Sequence, residues 1–195
     1  MNKNYILILV IFFLFTGPGP SLFFLNKYTV SFLPLISIIA VIYLLKDEIK
    51  FFDFQQLISK EIMLKAWLGI QVGVYAHAAC ALMFPAEINL TEQLLSNYAV
   101  MAVNIVLIGP IIEEIVYRKI IFGFLHQKFG FFSGAVLSSL LFSLAHFSMQ
   151  RALAYFAVGM ILCYISYKQS SNLPNIYAHI ILNYAAILAQ TIKIT

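Results

Sequence analysis

The chain has 195 residues, 62% of them apolar and 10% charged, with 12 Lys and Arg against 8 Asp and Glu and a mean hydropathy of +0.92. A water-soluble domain carries about a quarter charged residues, so this composition excludes an ordinary soluble exterior and predicts an all-α, polytopic bundle of membrane helices. The net charge of +4 is spread thinly, without a basic cluster or stripe, which excludes a nucleic-acid partner.

A membrane-spanning helix needs ~17 to 25 predominantly apolar residues. About seven runs of that kind follow one another, with six to eight as the range: 5–25, 28–45, 63–84, 97–124, 131–149, 152–167 and 173–192. They leave little room for a soluble domain, so 1–195 reads as a single membrane domain, with N-terminal helices over 1–96 and a functional core over 97–195. In the first run, Thr16-Gly17-Pro18-Gly19-Pro20 predicts two half-helices rather than a cleaved signal peptide, since no clear A-x-A site appears and prolines disfavour cutting there. The segment near 47–60 places Phe51, Phe52, Phe54, Leu57 and Ile58 among charges and reads as an amphipathic helix in the cytoplasmic interface.

Basic residues set the expected orientation. The stretch 46–65 holds four lysines, whereas 85–96 has no Lys or Arg and carries Glu87 and Glu92. Threading seven spans through that constraint puts the N-terminus inside, in what the chain's character suggests is a prokaryotic cytoplasmic membrane. Nine basic residues then fall inside and three, Lys27, Arg151 and Lys193, outside. Cys80 and Cys163 both lie in apolar runs, where two buried thiols are expected in place of a disulfide.

Within the fourth run stands Gly109-Pro110-Ile111-Ile112-Glu113-Glu114-Ile115-Val116-Tyr117-Arg118. A charge at membrane depth costs ~2.5 to 3.5 kcal/mol even on the milder scales, so two carboxylates and a guanidinium flanked by apolar sequence point to a site. Glu114 and Arg118 are i,i+4 and can pair on one helical face, while Glu113 points about 100° away from Glu114 and can face a cavity. Pro110 either starts a helix or kinks one, because it removes a backbone donor.

Two further elements follow. Phe142-Ser143-Leu144-Ala145-His146 puts a histidine late in an apolar run, and His179-Ile180-Ile181-Leu182-Asn183 puts an imidazole and an amide on one helical face. Each alone reads as interhelical glue; with the glutamates they make a hydrolase constellation of base, imidazole and oxyanion donors. His77 reads as packing or a cavity residue, His126 as an interfacial histidine, and Arg151 as a snorkelling anchor at a helix end. Without an H-E-x-x-H, a G-x-S-x-G or a glycine-rich phosphate loop, the familiar zinc-protease, serine-hydrolase and nucleotide readings have no support.

Glu113-Glu114-x-x-x-Arg118, Phe142-x-x-x-His146 and His179-x-x-x-Asn183, in this order on successive hydrophobic segments, resemble the CAAX protease and bacteriocin-processing (CPBP, or Abi) family, which includes the type II CAAX prenyl endopeptidase. The resemblance covers the C-terminal half, roughly 97–195, and rests on three motifs that agree in type, order and separation. It implies an intramembrane endopeptidase in which Glu113 with His146 activates water, Glu114 and Arg118 support the base, and His179 with Asn183 stabilises the oxyanion. The implied substrate is a membrane-associated or lipid-modified protein or peptide within the bilayer: a CAAX protein, a sorting signal or a bacteriocin-like peptide. No cofactor is required by a metal-free glutamate mechanism. The alternative is zinc held by two histidines and a carboxylate, with water in the fourth position.

The chain is short for a prenyl endopeptidase and nothing in it marks a prenyl-binding groove. In straight helices His146 and His179 would lie ~15 Å apart along the membrane normal at 1.5 Å per residue, so tilted or broken helices, or shifted boundaries, are needed to join them. An ion-coupled transporter also uses intramembrane Glu, Arg and His, but no paired repeat with broken helices is present. A non-catalytic bacteriocin-immunity protein is the remaining alternative. Oligomeric state is open.

Overall fold

The computed structural model describes residues 2–49, 58–84, 90–169 and 171–194, and among them it is helical with no strand. Helix α1, Lys3–Ile11, is capped by the Asn2 side chain, which accepts from the Asn4 amide at 3.1 Å. It continues as a π-helical turn, Phe12–Thr16, and then stops. Gly17 and Gly19 take extended backbone conformations, and a Cβ on Gly19 would fall 1.7 Å from the Phe13 carbonyl oxygen. Only glycine allows the chain to double back that closely. Pro20, with no donor to lose, opens the 3-10 turn Pro20–Phe24. The first run is thus two helical pieces around a break.

The remaining runs become helices with local causes. The Asn26 carboxamide oxygen accepts from the Tyr28 and Thr29 amides at the entry to α2, Thr29–Leu44, which leads into the short α3, Lys46–Ile49. Ser59 caps α4, Lys60–Met83, which starts three residues ahead of the predicted run because the hydroxyl accepts from Ile62 N. Of the predicted amphipathic segment near 47–60, residues 50–57 lie outside the described residues, as do 85–89 of the acidic loop. Helix α5 spans Leu90–Asn97.

The fourth run is a continuous rod of changing pitch: α6 (Met101–Val103), a π segment (Asn104–Ile108), α7 (Gly109–Glu114), a second π segment (Ile115–Phe122) and α8 (Gly123–Leu144). Gly130, at φ 79°, breaks α8 and turns its second half back, so the fifth run begins there. That half ends at Leu144, five residues before the predicted boundary, which leaves His146 in a turn. Helices α9, Ala152–Lys168, and α10, Leu173–Ile194, complete the chain.

Packing is inverted relative to a soluble protein. Phe23, Leu82 and Met149 are 85%, 91% and 82% exposed, while Ser37, Ser138, Glu114 and Asn175 are wholly buried. An apolar exterior around a polar-studded interior is what lipid selects. Two stretches, Lys3–Phe24 and Lys60–Met83, reach the length and hydropathy of a membrane span, and Thr29–Leu44, Ala152–Lys168 and Leu173–Ala189 are shorter apolar helices. Together with the exterior they make this an all-α membrane bundle. Helix α9 packs on α8 and α4, and α4 on α10. Small residues allow the approach: a Cβ on Gly159 of α9 would lie 2.7 Å from Ser139 Cβ of α8, and one on Gly69 of α4 would lie 3.0 Å from Ala178 Cβ of α10. Both cysteines are buried and free.

Candidate active site

The rod that carries Glu113 is irregular for a reason written in its sequence. In the first π segment the Gly109 N–H donates five residues back, to Asn104 O. The next bond in that register would run from residue 110 to Ile105 O, and Pro110 has no N–H to give. The Asn183 side chain of α10 fills the place, its Nδ2 donating to Ile105 O at 2.8 Å. Pro110 therefore stands in the first turn of α7, within the continuing rod. It leaves an acceptor that the neighbouring helix satisfies.

Behind the rod lies a buried polar network. Arg118 Nε is 3.2 Å from Glu114 Oε2, and both side chains are fully buried. The other Glu114 oxygen meets His179 Nδ1 at 2.8 Å, and the Glu114 carbonyl accepts from Asn172 Nδ2 at 3.2 Å. The guanidinium lies over the Phe142 ring, Cζ to centroid 4.2 Å, a desolvated cation–π contact. The carboxylate thus orients one imidazole nitrogen and aims the other, Nε2, at Glu113 Oε2, 3.7 Å away. That separation is beyond a direct hydrogen bond and within reach of a shared oxygen between the two groups.

Glu113 is turned about 100° from Glu114, as adjacent residues on a helix are. With His146 and Asn183 it lines a chamber of about 270 Å³. The opposite wall comes from the N-terminal pieces, among them Phe12, Thr16, Gly17 and Leu33. Asn104 Nδ2 anchors that wall to the rod by donating to Val30 O at 2.6 Å, and Phe12 meets Tyr117 edge-on at 5.7 Å.

The depth mismatch between His146 and His179 closes through Phe142, whose ring contacts both imidazoles, at 4.6 Å and 5.7 Å between centroids. Because the helix ends at Leu144, His146 folds back and its Nδ1 lies 2.8 Å from the Phe142 carbonyl oxygen. A carbonyl can only accept, so Nδ1 carries the proton and Nε2 is the free, basic nitrogen. Glu113, His146 and Asn183 thus sit on the chamber wall, and Glu114, Arg118 and His179 stand behind it. Among the described residues no three His, Cys, Asp or Glu side chains are gathered as a metal ligand set, while Nδ1 of both His146 and His179 meets a protein acceptor, an arrangement that leaves Nε2 of each ring able to bind a metal.

Three polar residues set apart from the constellation in the sequence have defined places, and for His77 it is the packing expected. Arg151 stands at the start of α9 and lines the chamber. His126 stacks on Phe122 and abuts Tyr167. His77 packs edge-on against Tyr155. Asn104, Asn172 and Tyr155 were not singled out by the sequence. The first two carried a usable signal as amides beside or within apolar runs; a tyrosine in a run of aromatics carried none.

Residues 95–185 match the family described as Type II CAAX prenyl endopeptidase Rce1-like. Among curated proteins, the Putative membrane peptidase YdiL of Bacillus subtilis (strain 168) is 34% identical over 84 residues, which is 43% of this chain and 34% of that relative. The chain therefore matches about a third of the length of that relative. No solved structure matches. Residues 95–185, which contain all six side chains of the constellation, are similar to the Type II CAAX prenyl endopeptidase Rce1-like family, and this similarity together with that to the membrane-peptidase relative supports a CAAX/CPBP family protease.

Proposed function

We propose that the chain is a multi-pass intramembrane endopeptidase that hydrolyses a peptide bond of a membrane-associated or lipid-modified substrate, with Glu113 as the base. The observation that supports this most is the division of the two adjacent glutamates. One lines an apolar chamber beside an imidazole whose Nε2 is free, while the other is buried and ion-paired.

In this reading the Glu113 carboxylate takes a proton from water as the water oxygen bonds to the scissile carbonyl carbon. His146 Nε2 accepts a hydrogen bond from the same water and aligns it. The carbonyl π electrons move to oxygen, and the second Nδ2 hydrogen of Asn183, left over after the bond to Ile105 O, donates to that oxyanion. The proton on Glu113 then passes to the leaving nitrogen as the C–N bond breaks, giving an amine and a carboxylic acid, which releases the second water proton to become the carboxylate. His179 is assigned to the oxyanion by the family resemblance; its position behind Glu113, tied to Glu114, favours a role in orienting the base.

The chamber wall contributed by Phe12, Phe15, Leu22 and Leu33 suits an apolar, extended segment of substrate. The nine basic residues assigned inside support an N-terminus-in orientation in a prokaryotic cytoplasmic membrane. Purified protein in detergent or liposomes should cleave a membrane-associated reporter peptide. Glu113→Gln and His146→Ala should abolish cleavage with helicity intact, and full activity in both would sink the assignment. Cleavage that persists under strong chelation supports the metal-free form; loss on chelation and return with zinc would replace it by the metal form.

A further inference from the structure

The free Nε2 of His146 is useful only if the ring that bears it holds one plane, and the bond from Nδ1 to Phe142 O leaves that plane free to swing. Two aromatic contacts remove the freedom. Phe142 approaches the imidazole at 65° and 4.6 Å, while Tyr155, near the start of α9, stacks on it at 27° and 3.9 Å. Tyr155 is itself held on another side by His77 of α4, edge-to-face at 5.3 Å and 82°. His77 lies outside the residues matched by the family, 95–185, so the N-terminal half reaches the candidate site through this contact.

We infer that Tyr155 is a positioning residue that fixes the plane of the His146 ring, with His77 as its buttress. The ring face of Tyr155, and not its hydroxyl, does the positioning, since a stacked contact is made through the π surface. The inference rests on the peptidase reading, in which His146 aligns the attacked water, but the ring geometry can be tested apart from it.

Two readouts on the full-length protein in micelles serve. The first is kinetic: Tyr155→Leu should lower kcat on the order of 10–100-fold while KM stays within about threefold, because misplacing a catalytic group by ~1 Å costs rate and not binding. Tyr155→Phe, which keeps the stack, should restore most of the rate. The second is spectroscopic: with labelled histidine, the His146 Cε1–H resonance, assigned by its loss in His146→Gln, should be shifted upfield by the Tyr155 ring. It should move downfield in Tyr155→Leu, stay in Tyr155→Phe, and move part-way in His77→Ala. A Phe variant as impaired as the Leu variant would transfer the role to the hydroxyl and overturn the inference, as would a resonance unmoved in Tyr155→Leu. An unmoved resonance in His77→Ala would overturn the buttress. If the resonance behaves as described but the unaltered protein cleaves nothing, the ring positioning stands and the peptidase reading fails.

Discussion

The buried pair Arg118 and Glu114 allows a stability prediction whose size follows from its surroundings. Arg118→Met removes the guanidinium while keeping an unbranched apolar side chain that reaches about as far as Nε. It leaves the Glu114 carboxylate, fully buried, with His179 Nδ1 and no cation at 3.2 Å. Breaking a buried pair on one side costs about 3–5 kcal/mol, because the remaining charge keeps its desolvation penalty. Loss of the guanidinium from the face of Phe142, at 4.2 Å, adds ~1–2 kcal/mol, and the apolar methionine offsets part of the sum. Glu114→Gln strands the guanidinium in the same way, but its carboxamide oxygen can still accept from His179 Nδ1. The double variant Glu114→Gln/Arg118→Met contains neither stranded charge, so it should be more stable than the single losses add up to, with a coupling of ~1–3 kcal/mol. Equilibrium unfolding in mixed micelles, followed by far-UV circular dichroism across an SDS titration, measures all four members of the cycle. Single losses below ~1 kcal/mol, or losses that simply add, would show that the pair is not a compensated buried charge and would refute the reasoning.

Three further outcomes follow from single contacts. Asn183→Leu leaves Ile105 O buried without a donor and should cost ~1–3 kcal/mol; Pro110→Ala restores a backbone N–H in register for that oxygen, so the same substitution in that background should cost measurably less in the same unfolding assay. Gly159→Ala places a Cβ where Ser139 Cβ and Oγ already lie at 2.7 and 2.8 Å, so it should destabilise by ~1–3 kcal/mol through overpacking, and Ser139→Gly should relieve it. Gly130→Ala meets no atom but forces φ 79° on a residue with a Cβ, and should lower stability by about 1 kcal/mol without altering the cleavage rate.

Composition and run lengths made the bundle legible, because apolar length is what a bilayer demands and no tertiary detail is needed to see it. The divergence of Glu113 from Glu114 by about 100° was also available, since adjacent helical residues diverge wherever the helix goes. What sequence could not yield depends on register and on contacts made at a distance. Pro110 is compatible with a start or a kink; it stands in the first turn of α7, after a π turn whose orphaned carbonyl is answered by Asn183, 78 positions later, and that answer lies in α10, not near the proline. His146 looked misplaced in depth because its run was read as helical to residue 149, whereas helix α8 ends at Leu144 and the histidine folds back toward Phe142. Apolar residues beyond a helix end are indistinguishable by hydropathy from residues within it, since lipid-facing turns carry the same side chains. The chamber wall from Phe12 to Leu33 was hidden for a related reason: the Thr16 to Pro20 break marked where the chain departs from helix, but only packing reveals that it departs toward Glu113. The same logic separates the two kinds of site residue. Groups that violate the membrane's preferences, such as Glu113, Glu114 and Arg118, announce themselves by their cost, while a residue such as Tyr155, which costs nothing in lipid, is found only by what it touches.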